Sequence, residues 1–274
     1  MTQPDVSIII LNYKTRGLLR QCLRGISNSG DSVTAECIVV DNASKDGSVE
    51  MLERDFPNVI TIASPVNEGF AAGMNFGLRR ATGRYVVLLN TDVAIMDKPF
   101  DRLVAFMDQH PQVGLAGPKL LNPDGSVQDS CYRFHAWYTP LLRRTPLGKL
   151  PGCRAHLRHF LMRDFNHAEN APVDWLLGAF LIARRSAVEQ VGEMDSRFFL
   201  YFEDVDWCRR FWERKWEVRY CADVEVVHYH KRQSADTAGF ASIFSYPTRI
   251  HIRSWFRYLM KYWGTPIPLR STSV

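Results

Sequence analysis

The stretch Tyr85–Val93, YVVLLNTDV, runs four apolar residues, Val86 to Leu89, straight into Asn90-Thr91-Asp92. A short apolar run after the Thr82-Gly83 turn predicts a strand buried on both faces, as in a parallel sheet. Open α/β sheets bind their ligands outside the carboxyl ends of the strands, which is where Asp92 falls. A carboxylate there can hold a hard divalent cation, and the cation can hold a diphosphate. Taken alone, Asn90-Thr91-Asp92 reads equally well as an Asx-type turn closing the strand.

The preceding residues repeat a strand–helix unit. Val6–Asn12 (VSIIILN) predicts a buried strand, followed by a helical stripe of Leu18, Leu19, Cys22, Leu23 and Ile26. Glu36–Asp41 (ECIVVD) is a second strand ending in an acid, and a short helix follows around Val49–Arg54. Val59–Ala63 is a third strand, and Gly69–Arg80 a glycine- and alanine-rich helix leading into Tyr85–Val93. Repeated units of this length predict a mostly parallel sheet with helices on both faces. A dinucleotide fold requires G-x-G-x-x-G after its first strand, and this chain has Asn12-Tyr13-Lys14 there, which argues against NAD.

Beyond Asp92 the pattern predicts a helix over Phe100–His110 and a hairpin-type turn within Pro118–Val127. It predicts an irregular excursion over residues 131–170 and an apolar strand pair or strand–turn within Val173–Arg185. Phe198–Trp216 carries helical spacing, and a last strand runs over Val218–His230.

The 274 residues are 46% hydrophobic and 23% charged, ordinary values for a globular chain large enough for a substantial core. The longest apolar run, Trp175–Ala183, is too short to cross a bilayer. The amino terminus lacks the basic and small-residue features of a secretory signal. Six scattered cysteines without a CxxC pair suit reduced thiols in a cytosol. Residues 131–170 hold seven Arg or Lys against two acids, with four histidines besides. That segment is a solvated basic loop or a surface facing phosphates or an anionic membrane. No nucleic-acid module is recognisable, so a nucleic-acid partner is not expected.

Chemistry concentrates in FFLYFEDVDWCRR, with Glu203, Asp204 and Asp206 at the start of a helix, whose dipole favours ionised carboxylates. Acids are common in any first helical turn. The aromatic approach of Phe198, Phe199, Tyr201 and Phe202 implies a partly dry wall, which suits a general base. His228 and His230 close the last strand, where a neutral ring nitrogen can ligate a metal. Cys153, His156 and His159 match no standard zinc spacing. The glycines of Asn67–Gly77 (NEGFAAGMNFG) permit close backbone approach to a ligand, but no Walker lysine follows.

In order, VSIIILNY, VVDNASKDGS, NEGFAAGMNFGLRRATGRYVVLLNTDV, DWLLGAFLIARR, FFLYFEDVDWCRR and a strand-end histidine resemble family 2 of the inverting glycosyltransferases, and within it the bacterial rhamnosyltransferases. The resemblance spans about residues 5–235. It implies a GT-A fold, a nucleotide-binding half over about residues 1–95 and an acceptor half over about 96–235; residues 236–274 read separately as a basic-aromatic helical tail. It implies nucleotide-sugar contacts at Asn12, Tyr13, Asp41, Asn67, Gly69, Asn75, Asn90, Thr91 and Gly178. The D-x-D motif of the family here reads Asn90-Thr91-Asp92, leaving Asp92 to bind Mg²⁺ or Mn²⁺ on the diphosphate. The E-D motif implies Asp204 as the base, with Glu203 the alternative. A carboxyl-side histidine, matched by His228 with His230 the alternative, completes the metal or diphosphate contacts. The chain departs from the family pattern after the E-D helix, where Glu213-Arg214-Lys215 precedes Trp216, and after His230, where Lys231-Arg232-Gln233-Ser234 follows.

The implied reaction moves a sugar, by resemblance rhamnose from TDP-rhamnose, to a hydroxyl of a lipid-linked or polysaccharide acceptor, with inversion. A UDP-sugar donor is the next reading, and a nucleotidyltransferase or an inactive sugar-binding module are the alternatives of other classes. In the tail, Arg249, Arg253, Arg257 and Lys261 recur every four residues beside Ile252, Trp255, Phe256, Leu259, Tyr262 and Trp263. Such a helix either lies on an anionic membrane surface or packs on the domain. The expected location is cytoplasmic, peripheral on the inner face of the cell membrane.

Overall fold

The computed structural model describes residues 3–229 and 246–268. From the amino terminus, β1 (Val6–Asn12), α1 (Arg16–Asn28), β2 (Ala35–Asn42), α2 (Ser48–Asp55), β3 (Ile60–Ser64), α3 (Phe70–Arg80) and β4 (Tyr85–Asn90) follow as the periodicity predicts. The strands lie in the order β3-β2-β1-β4, all parallel. β1 and β4 are buried almost throughout because both of their faces are covered. Ile8, Ile10, Val87 and Leu89 pack with Leu19 and Leu23 of α1. Ile9, Val86 and Leu88 point the other way, into a second core with Met74 of α3.

After β4 come β5 (Val93–Ala94), α4 (Pro99–Gln109) and β6 (Val113–Leu121). β6 starts five residues before Pro118, so this segment is a sheet strand and not only a hairpin turn. Pro118 is accommodated because its partner strand changes register beside it, between Cys221 and Glu225.

The stretch 131–170 is not irregular. It forms β7 (Cys131–Tyr132), α5 (Thr139–Arg144), a 3₁₀ turn (Pro146–Lys149) and α6 (Pro151–Phe160). Pro140, Pro146 and Pro151 each stand in the first turn of these helical pieces, where the missing N–H costs nothing. They start helices there and do not break them.

β8 (Ala171–Pro172), β9 (Trp175–Leu176), β10 (Phe180–Arg184), α7 (Arg185–Val191), α8 (Glu203–Glu213), β11 (Glu217–His228) and α9 (Tyr246–Lys261) complete the described chain. β10 enters the sheet antiparallel between β4 and β6, and β11 runs parallel to β6 before its last two residues pair with β5. The sheet order is therefore β3-β2-β1-β4-β10-β6-β11-β5, with β8 on β11. α8 begins only at Glu203, because Tyr201 and Phe202 occupy left-handed backbone with φ of 68° and 71°.

α9 packs on the domain through Trp255 and Tyr258, both buried. Of its four-residue basic stripe, Lys261 reaches Asp195 and Asp206, and Arg257 donates to the Arg197 carbonyl. Arg249 and Arg253 stay exposed, in line with exposed Phe256, Met260 and Trp263. Among the described residues no helix is long and apolar enough to cross a membrane.

Candidate active site

β4 ends at Asn90, and the chain turns through Thr91-Asp92 into β5. Because β5 pairs antiparallel with the end of β11, Val93 lies opposite His228, and the Tyr229 amide donates to the Asp92 carbonyl at 2.8 Å. This pairing brings His228 Nε2 to 3.3 Å from Asp92 Oδ1. On the other side of the ring, Nδ1 stands 2.7 Å from Gln128 Oε1, and Gln128 Nε2 in turn donates to Asn122 Oδ1 at 2.9 Å. With the amide so oriented, Nδ1–H is the donor, and Nε2 faces the Asp92 carboxylate. Imidazole nitrogen and carboxylate oxygen are suitable donors for a divalent ion, and a hydrogen-bonded second nitrogen is the usual support of a ligating histidine. No cluster of three or more acidic, histidine or cysteine side chains is found among the described residues. A Mg²⁺-type ion held by one or two protein groups takes the rest of its shell from phosphate and water. His230 lies outside the described residues.

Asp204 stands in the first turn of α8 with its carboxylate held by two backbone amides, Val205 N at 2.8 Å from Oδ1 and Gly178 N at 3.1 Å from Oδ2. Burial pushes its carboxyl up to about 6, against the opposing pull of these hydrogen bonds. Glu203 is pushed well above the usual range, by burial first and then by Asp204, and its Oε2 has no hydrogen-bond partner. The two acids are thus distinguished by environment: the Val205 and Gly178 amides favour the ionised form of Asp204, whereas burial and the Asp204 charge dominate at Glu203. Consecutive left-handed Tyr201 and Phe202 set the position of this turn. Such backbone costs a non-glycine residue roughly 1–2 kcal/mol each and persists only where neighbours enforce it.

Gly178-Ala179 joins the two centres. Gly178 donates to Asp204, and the Ala179 carbonyl accepts from the Asn90 amide at 2.9 Å. A Cβ on Gly178 would stand 3.4 Å from the Asp204 Cβ, so the glycine lies directly against the acid.

The amino-terminal residues divide into groups. Asp41 accepts from Asn12 Nδ2 at 2.8 Å and from the Ser44 amide at 3.0 Å, and it lines an open cleft of about 490 Å³ with Lys45, Ser48, Glu50 and Ser64. Asn12 is fully buried, its amide shared among Asp41, Ser44 and Ser48 and its carbonyl accepting from Thr15. It organises the strand-end turns and presents no side chain to the opening. Thr91 and Thr15 hydroxyls meet at 3.0 Å. Tyr13 is half-exposed, and its hydroxyl is lowered by a hydrogen bond with Asn67. Asn67 also accepts from the Gly69 amide and from Asn42.

Asn75 is buried, and both ends of its amide are taken by the Met194 backbone, at 2.8 and 3.0 Å, which ties α3 to residue 194. The glycines of α3 serve packing: a Cβ on Gly73 or Gly77 would fall within 2.5 Å of Leu11 or 2.2 Å of Ile9. Gly69, with φ of 85°, is required because a Cβ there would strike the Phe199 carbonyl. The Cys153-His156-His159 run forms no metal group, and His156 Nε2 bonds Thr139 at 2.8 Å. Sequence reasoning missed Gln128, which lies 100 positions from His228 and carries no local signal. It also missed Asn42, although adjacent Asp41 marked the strand end; Asn42 bonds Asn67, Glu68 and Gly69.

This sheet order, with a strand-end acid on one side and a buried acid on the other, is the GT-A fold of the glycosyltransferases. GalNAc-T7, solved with UDP, GalNAc and Mn²⁺, superposes with a TM-score of 0.66 at 14% identity, covering 96% of this chain. This chain spans about half, 49%, of that one. The mannosyltransferase PcManGT from Pyrobaculum calidifontis, solved with GDP-Man and Mn²⁺, gives 0.58 at 17% identity, over 97% of this chain and 77% of the other. The chain belongs to glycosyl transferase family 2, whose family model matches residues 7–168. It is 30% identical over 246 residues to the N-acetylglucosaminyl-diphospho-decaprenol L-rhamnosyltransferase of Mycobacterium tuberculosis, covering 83% of this chain and 76% of that protein. The low-salt glycan biosynthesis hexosyltransferase Agl10 of Haloferax volcanii is 28% identical over 92% of this chain and 74% of its own length. Glycosyl transfer is the reaction class this family defines. Asp204 and His228 lie beyond the segment matched by the family model, so their roles are argued from geometry.

Proposed function

We propose that this chain transfers a deoxyhexose, rhamnose from TDP-rhamnose, to a hydroxyl of a lipid-linked glycan acceptor with inversion at the anomeric carbon. The observation that carries the reading is the Gly178-Ala179 bridge, which sets a buried, amide-held Asp204 beside the turn bearing Asp92. The cleft at Asp41 takes the nucleoside, and Tyr13, Asn67 and Gly69 border the same strand ends. Asp92 and His228 hold the divalent ion. When bound, Mg²⁺ or Mn²⁺ supplies charge stabilisation to the departing diphosphate.

Asp204 accepts the proton of the acceptor hydroxyl as its oxygen attacks the anomeric carbon from the face opposite the diphosphate. A base with a carboxyl raised toward neutrality, yet still ionised at pH 7, is better matched to an alcohol than an ordinary aspartate. Phe198 and Phe202, both buried, keep this side of the site dry. Positioned general-base catalysis supplies roughly 10²–10⁴-fold.

The donor identity is supported by the rhamnosyltransferase relative, and a UDP-sugar is the second reading, supported by the UDP-bound fold relative. The acceptor reading is supported by that same rhamnosyltransferase, whose name specifies a decaprenyl diphosphate. It is also supported by a cleft of about 630 Å³ within the helical excursion, lined by Leu157, Leu161, Arg154, Arg158 and Arg163. Exposed Arg249, Arg253, Phe256 and Met260 on α9, with Trp263 just beyond it, fit peripheral contact with an anionic bilayer. The domain halves about residue 95 are then the donor and acceptor sides of one sheet. The test is turnover across TDP- and UDP-sugars with and without Mg²⁺ or Mn²⁺. Release of nucleoside diphosphate is expected with TDP-rhamnose and metal; pyrophosphate release, or no product from any donor, overturns the reading.

A further inference from the structure

The turn that delivers Asp204 is held from outside the sheet. Tyr201 and Phe202 occupy left-handed backbone consecutively, a conformation that large side chains adopt only under constraint. The constraint comes from α9 and the residues just after it. Ser254 Oγ donates to the Leu200 carbonyl at 2.8 Å, and both Ser254 and Phe202 are buried. The His251 ring packs on Tyr201 and on Phe202, with centroids 5.2 and 5.3 Å away, and Tyr258 packs on Phe202 at 5.4 Å.

On the far side of the base the same helix grips α8 itself. Asp206, two residues after Asp204 and fully buried, accepts from Lys261 at 2.5 Å and from the Tyr262 hydroxyl at 2.8 Å, besides Arg210 of its own helix at 2.9 Å. Lys261 also bonds Asp195, at 2.7 Å, and so spans the loop that leads into the turn. Arg209 lies over the Tyr262 ring at 3.8 Å and donates to the Pro266 carbonyl at 3.0 Å. Contacts therefore bracket Asp204 on both sides in sequence, and none of them touches the carboxylate.

We propose that α9 is a clamp for the catalytic base, with Ser254 and Lys261 as positioning residues that hold the 200–206 segment in the conformation seating Asp204 against Gly178. The inference rests on Asp204 being the base. Without Ser254 the Leu200 carbonyl loses its partner and the left-handed pair relaxes toward ordinary backbone. Without Lys261 the Asp206 anchor loses a charged partner, and α8 is free to shift relative to residue 195. Either change moves the Asp204 carboxylate off the Gly178 amide and lets water reach it. A displacement of about 1 Å at a reacting group costs on the order of 10²-fold in rate.

The experiment uses the full chain with TDP-rhamnose, Mg²⁺ and a soluble lipid-linked acceptor analogue. Ser254→Ala, Ser254→Thr, Lys261→Met and Lys261→Arg are compared with the parent, alongside Asp204→Asn. The clamp predicts that Ser254→Ala and Lys261→Met each lower kcat by roughly 10- to 100-fold, with donor KM and calorimetric donor affinity within about twofold of the parent. It predicts that the acid limb of the rate profile moves toward lower pH as water re-solvates Asp204. Ser254→Thr and Lys261→Arg, which keep the donor atoms, recover most of the rate. Parental kcat and an unmoved pH profile in Ser254→Ala and Lys261→Met, even with a lowered melting temperature, overturn the clamp. Full activity in Asp204→Asn overturns the base assignment instead, so the two failures are separable.

Discussion

His228 Nε2 stands 3.3 Å from Asp92 Oδ1, across a strand pairing that the two-residue β5 makes with the end of β11. Neither residue alone suggests a metal site; the pairing brings the two proposed ligands together. Asp92→Ala is expected to abolish the metal-dependent part of nucleotide-sugar binding while leaving metal-independent nucleoside affinity in place. Isothermal titration with and without Mn²⁺ checks it, and equal metal dependence in the variant removes Asp92 from the site.

Gln128 should matter almost as much as His228, the proposed ligand it supports. Its Oε1 fixes His228 Nδ1 and so decides which ring nitrogen faces Asp92. Gln128→Leu is expected to weaken Mn²⁺ affinity by about 10- to 100-fold, the usual loss for a broken support of a ligating histidine. Mn²⁺ titration followed by electron paramagnetic resonance gives the answer directly. An unchanged affinity would show that the ring needs no such partner.

The two neighbouring acids should respond oppositely to amide substitution. Asp204→Asn removes the proposed base and is expected to lower kcat by at least about 10²-fold. Burial and the Asp204 charge push the Glu203 carboxyl well above its usual range, so uncharged Glu203→Gln is expected to stay within a few fold of the parent. The reverse pattern would transfer the base role to Glu203.

The rate should rise with pH and level off above neutrality. Asp204 must be ionised to accept a proton, and burial raises its carboxyl to about 6. At pH 5 only about a tenth of the enzyme therefore carries the active form, whereas an ordinary aspartate would be almost wholly ionised. A pH profile of kcat/KM at saturating metal tests the sign; a flat line between pH 5 and 7 contradicts it.

Asn75→Ala separates scaffold from ligand contact. Removing its side chain leaves the Met194 N–H and C=O buried without partners, a penalty of roughly 1–3 kcal/mol for each group left unsatisfied. Thermal unfolding should show the loss, while donor affinity of the folded protein stays at the parental value. A variant with parental stability and weakened donor binding would return Asn75 to the site.

Much of this organisation is legible locally. The first four strands announce themselves because each is buried on both faces and reads as an unbroken apolar run, and Asp92 announces itself by standing at the end of one. The E-D turn is visible from its aromatic approach. What is not legible depends on distant partners. Gln128 meets His228 only because β6 and β11 lie side by side. The direction of β10 follows from its neighbours, not from its own composition. Pro140, Pro146 and Pro151 look like breakers until their place in a first helical turn is known. Asn75 sits in a glycine-rich stretch that resembles a ligand loop, and only the packing of Gly73 and Gly77 on β1 shows that the stretch is a close helix–sheet contact.

α9 has two faces with different obligations. One bears Ser254, Tyr258 and Lys261 and packs toward the acid-bearing turn; the other bears Arg253, Phe256 and Met260 and is left open. Thermodynamic reciprocity then applies. A surface that binds the open face more tightly when the helix is docked must favour the docked helix, and a docked helix must favour that surface by the same factor. If the proposed clamp and the proposed interfacial contact both hold, adsorption at an interface and readiness for proton transfer are two readouts of one equilibrium.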